Sequence, residues 1–225
     1  MVSAVIVAAG NSTRMGTNKL FLKIGEIPAV VRSLLAFEAA PSVAETIVVT
    51  KLEYQDRYSV WKKEYSLKKL CAVTLGGETR QQSVLAGISA ASETADYFAI
   101  HDGARPFVDP HDIERVIQDA EHFGAATLGV AVKDTIKIVS QDGFIKKTPD
   151  RNSLYITQTP QVFRKSIYMK GVEAAKRDGL DFTDDCQLVE HAGYRVFMTS
   201  GSYRNIKLTT KEDLLVAHVY AKGEK

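Results

Sequence analysis

The sequence predicts an α/β fold: an open, mostly parallel sheet with helices on both faces and a protruding β-arm. Three observations predict it. Short apolar runs alternate with amphipathic stretches in a βαβα rhythm as far as residue 132. Two of the strand-to-helix turns carry glycine, at Ala9-Gly10 and at Gly76-Gly77. From Lys133 the rhythm breaks into a polar, alternating stretch around Asp142-Gly143, the mark of a β-hairpin.

Ala4 to Ala8 is the first strand, apolar enough to be buried on both faces, and it stops in small residues whose backbone N–H groups are expected to stay open. The loop that follows offers the guanidinium of Arg14 and the ammonium of Lys19, five positions apart, with Gly10 and Gly16 between small polar residues. It has neither the G-x-x-x-x-G-K-[ST] nor the G-x-G-x-x-G spacing. Two cations at the carboxyl end of a buried strand suit a polyphosphate. Pro28 then opens a helix over Ala29 to Ala40, Glu45 to Thr50 is a strand, and Leu52 to Tyr65 is a charged helix with Trp61 on its buried side. Strand Cys71 to Leu75 ends in Gly76-Gly77-Glu78, and Thr79-x-x-Gln82 is a capping box for a helix to about Ala91.

Strand Tyr97 to His101 runs into His101-Asp102-Gly103-Ala104-Arg105-Pro106, placing a carboxylate and a guanidinium three residues apart at the end of a central strand. Asp109 as N-cap and Pro110 at the first helical position start a helix to about Phe123, and Ala125 to Val132 is a strand. Thr135 to Val139 and Phe144 to Lys147 pair across the Asp-Gly turn. A lone two-stranded hairpin is marginal in water, so an arm of about residues 134–157 is expected to pack on a second subunit, with Arg151 near its return. Gln158-Thr159-Pro160-Gln161 is an extended return segment before a helix from Arg164 to Arg177. Thr183-Asp184-Asp185 opens a short helix to His191, Arg195 to Thr199 is a strand, and Thr209-x-x-Glu212 caps a last helix to about Tyr220. No linker or repeat divides residues 1–225, so one domain plus the arm is expected.

A chain of 225 residues can bury one large α/β core. With 45% hydrophobic residues, 25% charged and a net charge of +2, it gives no reason to expect a nucleic-acid or membrane surface, and no apolar stretch approaches a membrane span. Cys71 and Cys186 stand far apart without C-x-x-C spacing, which points away from a disulfide framework or zinc site and towards a reducing cytoplasm. The five histidines show no H-x-H or H-E-x-x-H pairing.

Seven pieces together resemble one family. Ala8-Ala9-Gly10 with Arg14, Gly16 and Lys19; Gly76-Gly77 with Arg80 and Ser83; His101 to Pro106; Asp134-Thr135; Gln158 to Gln161; Thr183-Asp184; and Asn205-Ile206-Lys207 follow the order and spacing of the 2-C-methyl-D-erythritol 4-phosphate cytidylyltransferases, over nearly the whole chain. Asn18, Leu20, Cys186 and Lys211 depart from the family pattern without removing a charged group from the site.

The resemblance implies a Rossmann-like fold, a homodimer joined through the β-arm, and transfer of CMP from CTP to a polyol phosphate with release of pyrophosphate. By matching position, Ala8, Ala9, Gly10, Arg14 and Lys19 hold the triphosphate; Gly77, Glu78 and Ser83 line the cytosine site; Asp102 serves the ribose and a Mg²⁺ ion. Arg105, Thr183 and Lys207 surround the phosphates and the polyol, and Arg151 and Thr159 reach the substrate across the dimer. Arg14, Lys19 and Lys207 are the catalytic group. The attacking phosphate oxygen is already ionised at neutral pH, so the absence of an evident general base is expected, and fixed positive charge does the work. Three alternatives share parts of this pattern: a ribitol 5-phosphate cytidylyltransferase, a sugar-1-phosphate nucleotidyltransferase, and a CTP-binding regulatory module without turnover.

Overall fold

The computed structural model describes residues 1–10 and 19–223. In chain order the elements are β1 (Val2–Val7), β2 (Lys23–Ile24), β3 (Ile27–Pro28), α1 (Ala29–Ala39), β4 (Val43–Thr50), α2 (Gln55–Glu64), β5 (Leu70–Leu75), α3 (Arg80–Ser89) and β6 (Tyr97–Asp102). There follow α4 (Pro110–Phe123), β7 (Ala125–Ala131), β8 (Ile138–Val139), β9 (Ile145–Lys147), β10 (Tyr155–Arg164), α5 (Lys165–Asp178), α6 (Asp185–His191), β11 (Phe197–Ser200) and α7 (Lys211–Lys222). Seven strands form one sheet in the order β11-β7-β10-β6-β1-β4-β5. Within this sheet every strand pair is parallel except those of β10, which runs antiparallel to both β6 and β7.

The helices cover both faces, as a mostly parallel sheet requires. On one side α1, α2 and α4 bring Val30, Leu34, Phe37, Trp61, Ile113 and Ile117 against Ile6, Val48 and Ala99. On the other, α3, α5 and α6 bring Val84, Tyr168, Ala175 and Leu188 against Phe98, Ile100 and Phe163. Gly87 lets α3 lie directly on the sheet: a β-carbon there would collide with Val5 and stand 2.7 Å from Val49 Cγ2. Asp109 caps α4 through His111 N–H at 2.8 Å with Pro110 in the first turn, as the sequence predicts.

The main departure is at residues 158–161, expected as an extended return segment: they lie inside β10, a strand in the middle of the sheet that also takes in the end of the expected arm, with Gln161 to Arg164 paired to β6 and Tyr155 to Thr157 and Gln161 to Phe163 paired to β7. Its polar, proline-bearing stretch hides the strand, because buried glutamines and a threonine replace the usual apolar run. The hairpin is shorter than expected: β8 and β9 pair only through Ile138 and Val139, turning at Gly143 with φ +89°, and they are separate from the main sheet. The last helix is capped one residue later than expected, by Thr210 with Asp213, because the Asp213 carboxylate reaches the Thr209 and Thr210 N–H groups and not Glu212.

Candidate active site

A cavity of about 630 Å³ opens above the carboxyl ends of β1, β4, β5 and β6. Strand order reverses between β1 and β6, since β1 leads to β4 on one side and lies beside β6 on the other, and open α/β sheets bind ligands at such a point. Ala9, Gly10, Lys19, Gly76, Gly77, Glu78, Ser83, Asp102 and Lys207 all line it. Arg14 lies outside the described residues.

The two glycine turns meet at the rim. A β-carbon on Gly76 would run into Ala9 Cβ and stand 2.9 Å from Ser83 Oγ, so glycine is what permits the β5–α3 turn to close against the end of β1. Inside that turn Gly77 N–H donates to Ser83 Oγ at 3.1 Å, Ser83 donates to Thr79 O at 2.9 Å, and Thr79 caps α3 through Gln82 N–H. Gln82 reaches Glu78 N–H at 2.9 Å instead of the cap residue, so half of the predicted capping box forms. Ala8 differs from expectation. It is buried and its N–H donates to Val49 O at 2.7 Å, which keeps the parallel ladder running one residue past β1 and leaves that donor unavailable to a ligand.

Asp102 is the electrostatic centre. Lys207 Nζ stands 2.7 Å from its Oδ2, Arg80 Nη2 3.7 Å from Oδ1, and Arg105 Nε 3.9 Å from Oδ2. Burial alone would raise this carboxyl, but Lys207, then Arg80 and Arg105, outweigh it and bring the pKa down to about 2. Arg80 is shared with Asp185, at 2.5 Å, whose other oxygen accepts from Tyr168 OH at 2.8 Å. Burial works against the charged guanidinium, and the two carboxylates more than offset it. Among the described residues no cluster of three or more His, Cys, Asp or Glu could hold a metal. Asp102 fits a Mg²⁺ ion as one hard oxygen ligand whose Oδ1 has its nearest cation beyond hydrogen-bonding distance; Mg²⁺ sites of this kind take most of their other ligands from phosphate and water.

Thr159 is not in the pocket. It is buried on β10, where Asp102 N–H donates to its Oγ1 at 3.1 Å and His101 Nδ1 lies 3.0 Å away. His101 Nε2 faces the Arg105 carbonyl at 3.3 Å, so that nitrogen carries the proton and Nδ1 accepts from the Thr159 hydroxyl. Burial keeps His101 neutral, with its pKa down at about 3. Arg105, also buried, donates to Asn205 O at 2.8 Å and Thr157 O at 3.4 Å, so it faces protein carbonyls more than the cavity. Arg151 sits at the base of the arm and donates to Lys133 O at 2.9 Å, and Thr183 is exposed just before Asp184, the cap of α6. Neither lines the cavity.

Sequence reasoning left Arg80 and Lys51 out of the site, and both line it. Arg80 had a signal: a cation in the first turn of a helix opposes the helix dipole and needs an acidic partner.

The comparisons with known proteins agree with this geometry. The family model described as IspD, 2-C-methyl-D-erythritol 4-phosphate cytidylyltransferase, matches residues 2–222. A protein of that name from Caldanaerobacter subterraneus subsp. tengcongensis is 45% identical, over 97% of this chain and 98% of its own. One from Geobacillus kaustophilus is 44% identical, over 95% and 94%. The crystal structure of 4-diphosphocytidyl-2C-methyl-D-erythritol synthase from Anaerococcus prevotii superposes with a TM-score of 0.88 at 28% identity, covering 98% of this chain and 96% of that one. The 2-C-methyl-D-erythritol 4-phosphate cytidylyltransferase of Thermus thermophilus superposes at 0.80 with 31% identity, over 99% and 100%. With its glycine-edged pocket at the switch point and full-length matches in sequence and structure, this chain belongs to the 2-C-methyl-D-erythritol 4-phosphate cytidylyltransferase family.

Proposed function

We propose that the protein transfers CMP from CTP to 2-C-methyl-D-erythritol 4-phosphate, giving 4-diphosphocytidyl-2-C-methyl-D-erythritol and pyrophosphate for isoprenoid precursor synthesis. The observation that carries this reading is the Asp102–Lys207 pair, 2.7 Å apart on the floor of a pocket rimmed by two glycine turns, in a chain of this family. Ala9, Gly10, Arg14 and Lys19 hold the triphosphate, and Gly77, Glu78 and Ser83 form the cytosine wall. The substrate phosphate is already an anion, so the residues need to align it in line with the α-phosphorus and to stabilise the charge that grows on its oxygens. Lys207, half-exposed beside Asp102, and Lys19, which lines the same cavity, supply that charge. Asp102 would hold Mg²⁺, which when bound would supply charge masking for the leaving pyrophosphate. Thr183 and the partner subunit's Arg151 bind the polyol phosphate. Thr159 and Arg105 serve by fixing Asp102 and the 205–207 stretch.

The arm supports a homodimer. Ile138, Val139, Phe144 and Ile145 are exposed on it, Phe144 by 73%, and a lone two-stranded arm that carries such exposed apolar side chains is stabilised by a cover. Two free cysteines support a cytoplasmic setting. Among the described residues no helix is long and apolar enough to cross a membrane. The test is pyrophosphate release from CTP and Mg²⁺ with 2-C-methyl-D-erythritol 4-phosphate and, in parallel, ribitol 5-phosphate. Release with the first alone is expected; release with the second alone would keep the phosphate-site roles and change the substrate.

A further inference from the structure

β10 starts at the pocket edge of the sheet and runs away from it, so residues 158–161 lie beneath the loops that carry Lys207 and Thr183. Gln158 is buried, and its Nε2 donates to Ser202 O at 2.8 Å. On the same loop Asn205 Nδ2 donates to Thr159 O at 3.0 Å, and Leu208 N–H donates to Ala104 O at 2.8 Å. Lys207 therefore sits on a short span held at both ends, with Nζ against Asp102. Gln161 is also buried and has a different partner. Its Nε2 donates to Asp184 Oδ1 at 2.6 Å, while Asp184 Oδ2 caps α6 through Gln187 N–H at 3.1 Å. Thr183 is the next residue back from that cap.

We infer that Gln158 and Gln161 are positioning residues for the two halves of the reaction: Gln158 fixes the Lys207 loop and governs turnover, and Gln161 fixes Asp184 and with it the binding of the polyol phosphate. This rests on the transfer reaction proposed above. A buried amide serving only the core would reach backbone within its own sheet, whereas each of these reaches a different site loop and neither reaches the other's.

The test compares Gln158→Met and Gln161→Met, which keep length and lose the donor, on steady-state kinetics and thermal unfolding. A lost hydrogen bond of this kind is felt at about tenfold. Gln158→Met is expected to lower kcat about tenfold with both KM values within about threefold, and Gln161→Met to raise KM for 2-C-methyl-D-erythritol 4-phosphate about tenfold with kcat little changed. Gln161→Glu, setting a carboxylate against Asp184, should raise that KM further at pH 8 and recover as the pH falls and the pair takes up a proton. Gln158→Asn, which keeps the amide and shortens its reach, should show the same kcat loss if the Met variant does not fold. Equal effects of both Met variants on the same parameter would overturn the assignment. So would wild-type kinetics in Gln158→Met beside an inactive Lys207→Met, and that pattern would leave the transfer reaction standing. A wild type that releases no pyrophosphate would overturn both.

Discussion

Three cations surround the Asp102 carboxylate, and the structure gives two of them, Lys207 and Arg80, opposite roles. Lys207 is 2.7 Å from Asp102 with its side chain 42% exposed; Arg80 is 3.7 Å away, 23% exposed, and paired at 2.5 Å to Asp185, itself 3% exposed. Replacing Lys207 by Met leaves Asp102 facing Arg80 and Arg105, so no buried charge is stranded and the stability cost is about 1 kcal/mol or less. Its loss removes one donor from the reacting phosphate, worth about 10²-fold in kcat, or about 2.7 kcal/mol. Replacing Arg80 by Met strands Asp185 with only the Tyr168 hydroxyl. Breaking a buried pair in this way costs about 3–5 kcal/mol, which in a chain of this size lowers Tm by about 10 °C. Pyrophosphate release and calorimetry on the two purified variants read both numbers. The reasoning is refuted if Lys207→Met melts as low as Arg80→Met while keeping kcat within about threefold of wild type.

Gly76→Ala pushes a methyl group into Ala9 and Ser83 and should raise KM for CTP at least about tenfold at a stability cost of about 1–3 kcal/mol; an unchanged KM would show that the two turns do not need to meet. His101 takes up its proton near 6.5 when unfolded and near 3 when folded, so stability is full above pH 6.5 and falls as the pH drops towards 3. The slope is about 1.4 kcal/mol per pH unit, readable from urea midpoints, and an imidazole resonance of His101 that titrates near 6.5 in the folded protein would contradict it. If the arm joins the proposed dimer, Phe144→Asp with Ile145→Asp should give a monomer by sedimentation where the wild type sediments as a dimer; a dimer that survives both charges would place the interface elsewhere.

Elements that bury apolar faces were legible from sequence. The run Ala4 to Ala8, the helix through Val30, Leu34 and Phe37, and the Asp109-Pro110 cap each carry a local pattern that packing does not override. The site was legible where chemistry is local: Asp102 at a strand end, and glycines where two turns touch. What the sequence hides are interactions between distant positions. Arg80 and Asp185 are 105 residues apart, and His101 meets Thr159 across 58. Thr159 enters the expected site only through the family resemblance, and nothing near it in the sequence shows that Asp102 N–H and His101 occupy its hydroxyl.

The strand least visible in the sequence explains most of the site's arrangement. A parallel strand in the place of β10 would end at the pocket edge and pass into a helix, as β6 does, adding one more loop to the rim. An antiparallel strand begins at that edge. Its first residues, Tyr155 to Thr157, pair only with β7 and leave their other side towards Arg105, which donates to Thr157 O. The chain before them is already outside the sheet, so the arm is the natural way for it to arrive. The residues after them pass under the floor, where side chains that would otherwise need an apolar layer can hold three loops from below. The side-chain amide N–H groups and the hydroxyl there find partners because each has a loop to hold: Gln158 the 202–205 stretch, Thr159 the end of β6, Gln161 the cap of α6, with Gln161 Oε1 alone of these left without a partner. The arm that precedes β10 and the buried polar row within it therefore follow from one reversal of strand direction.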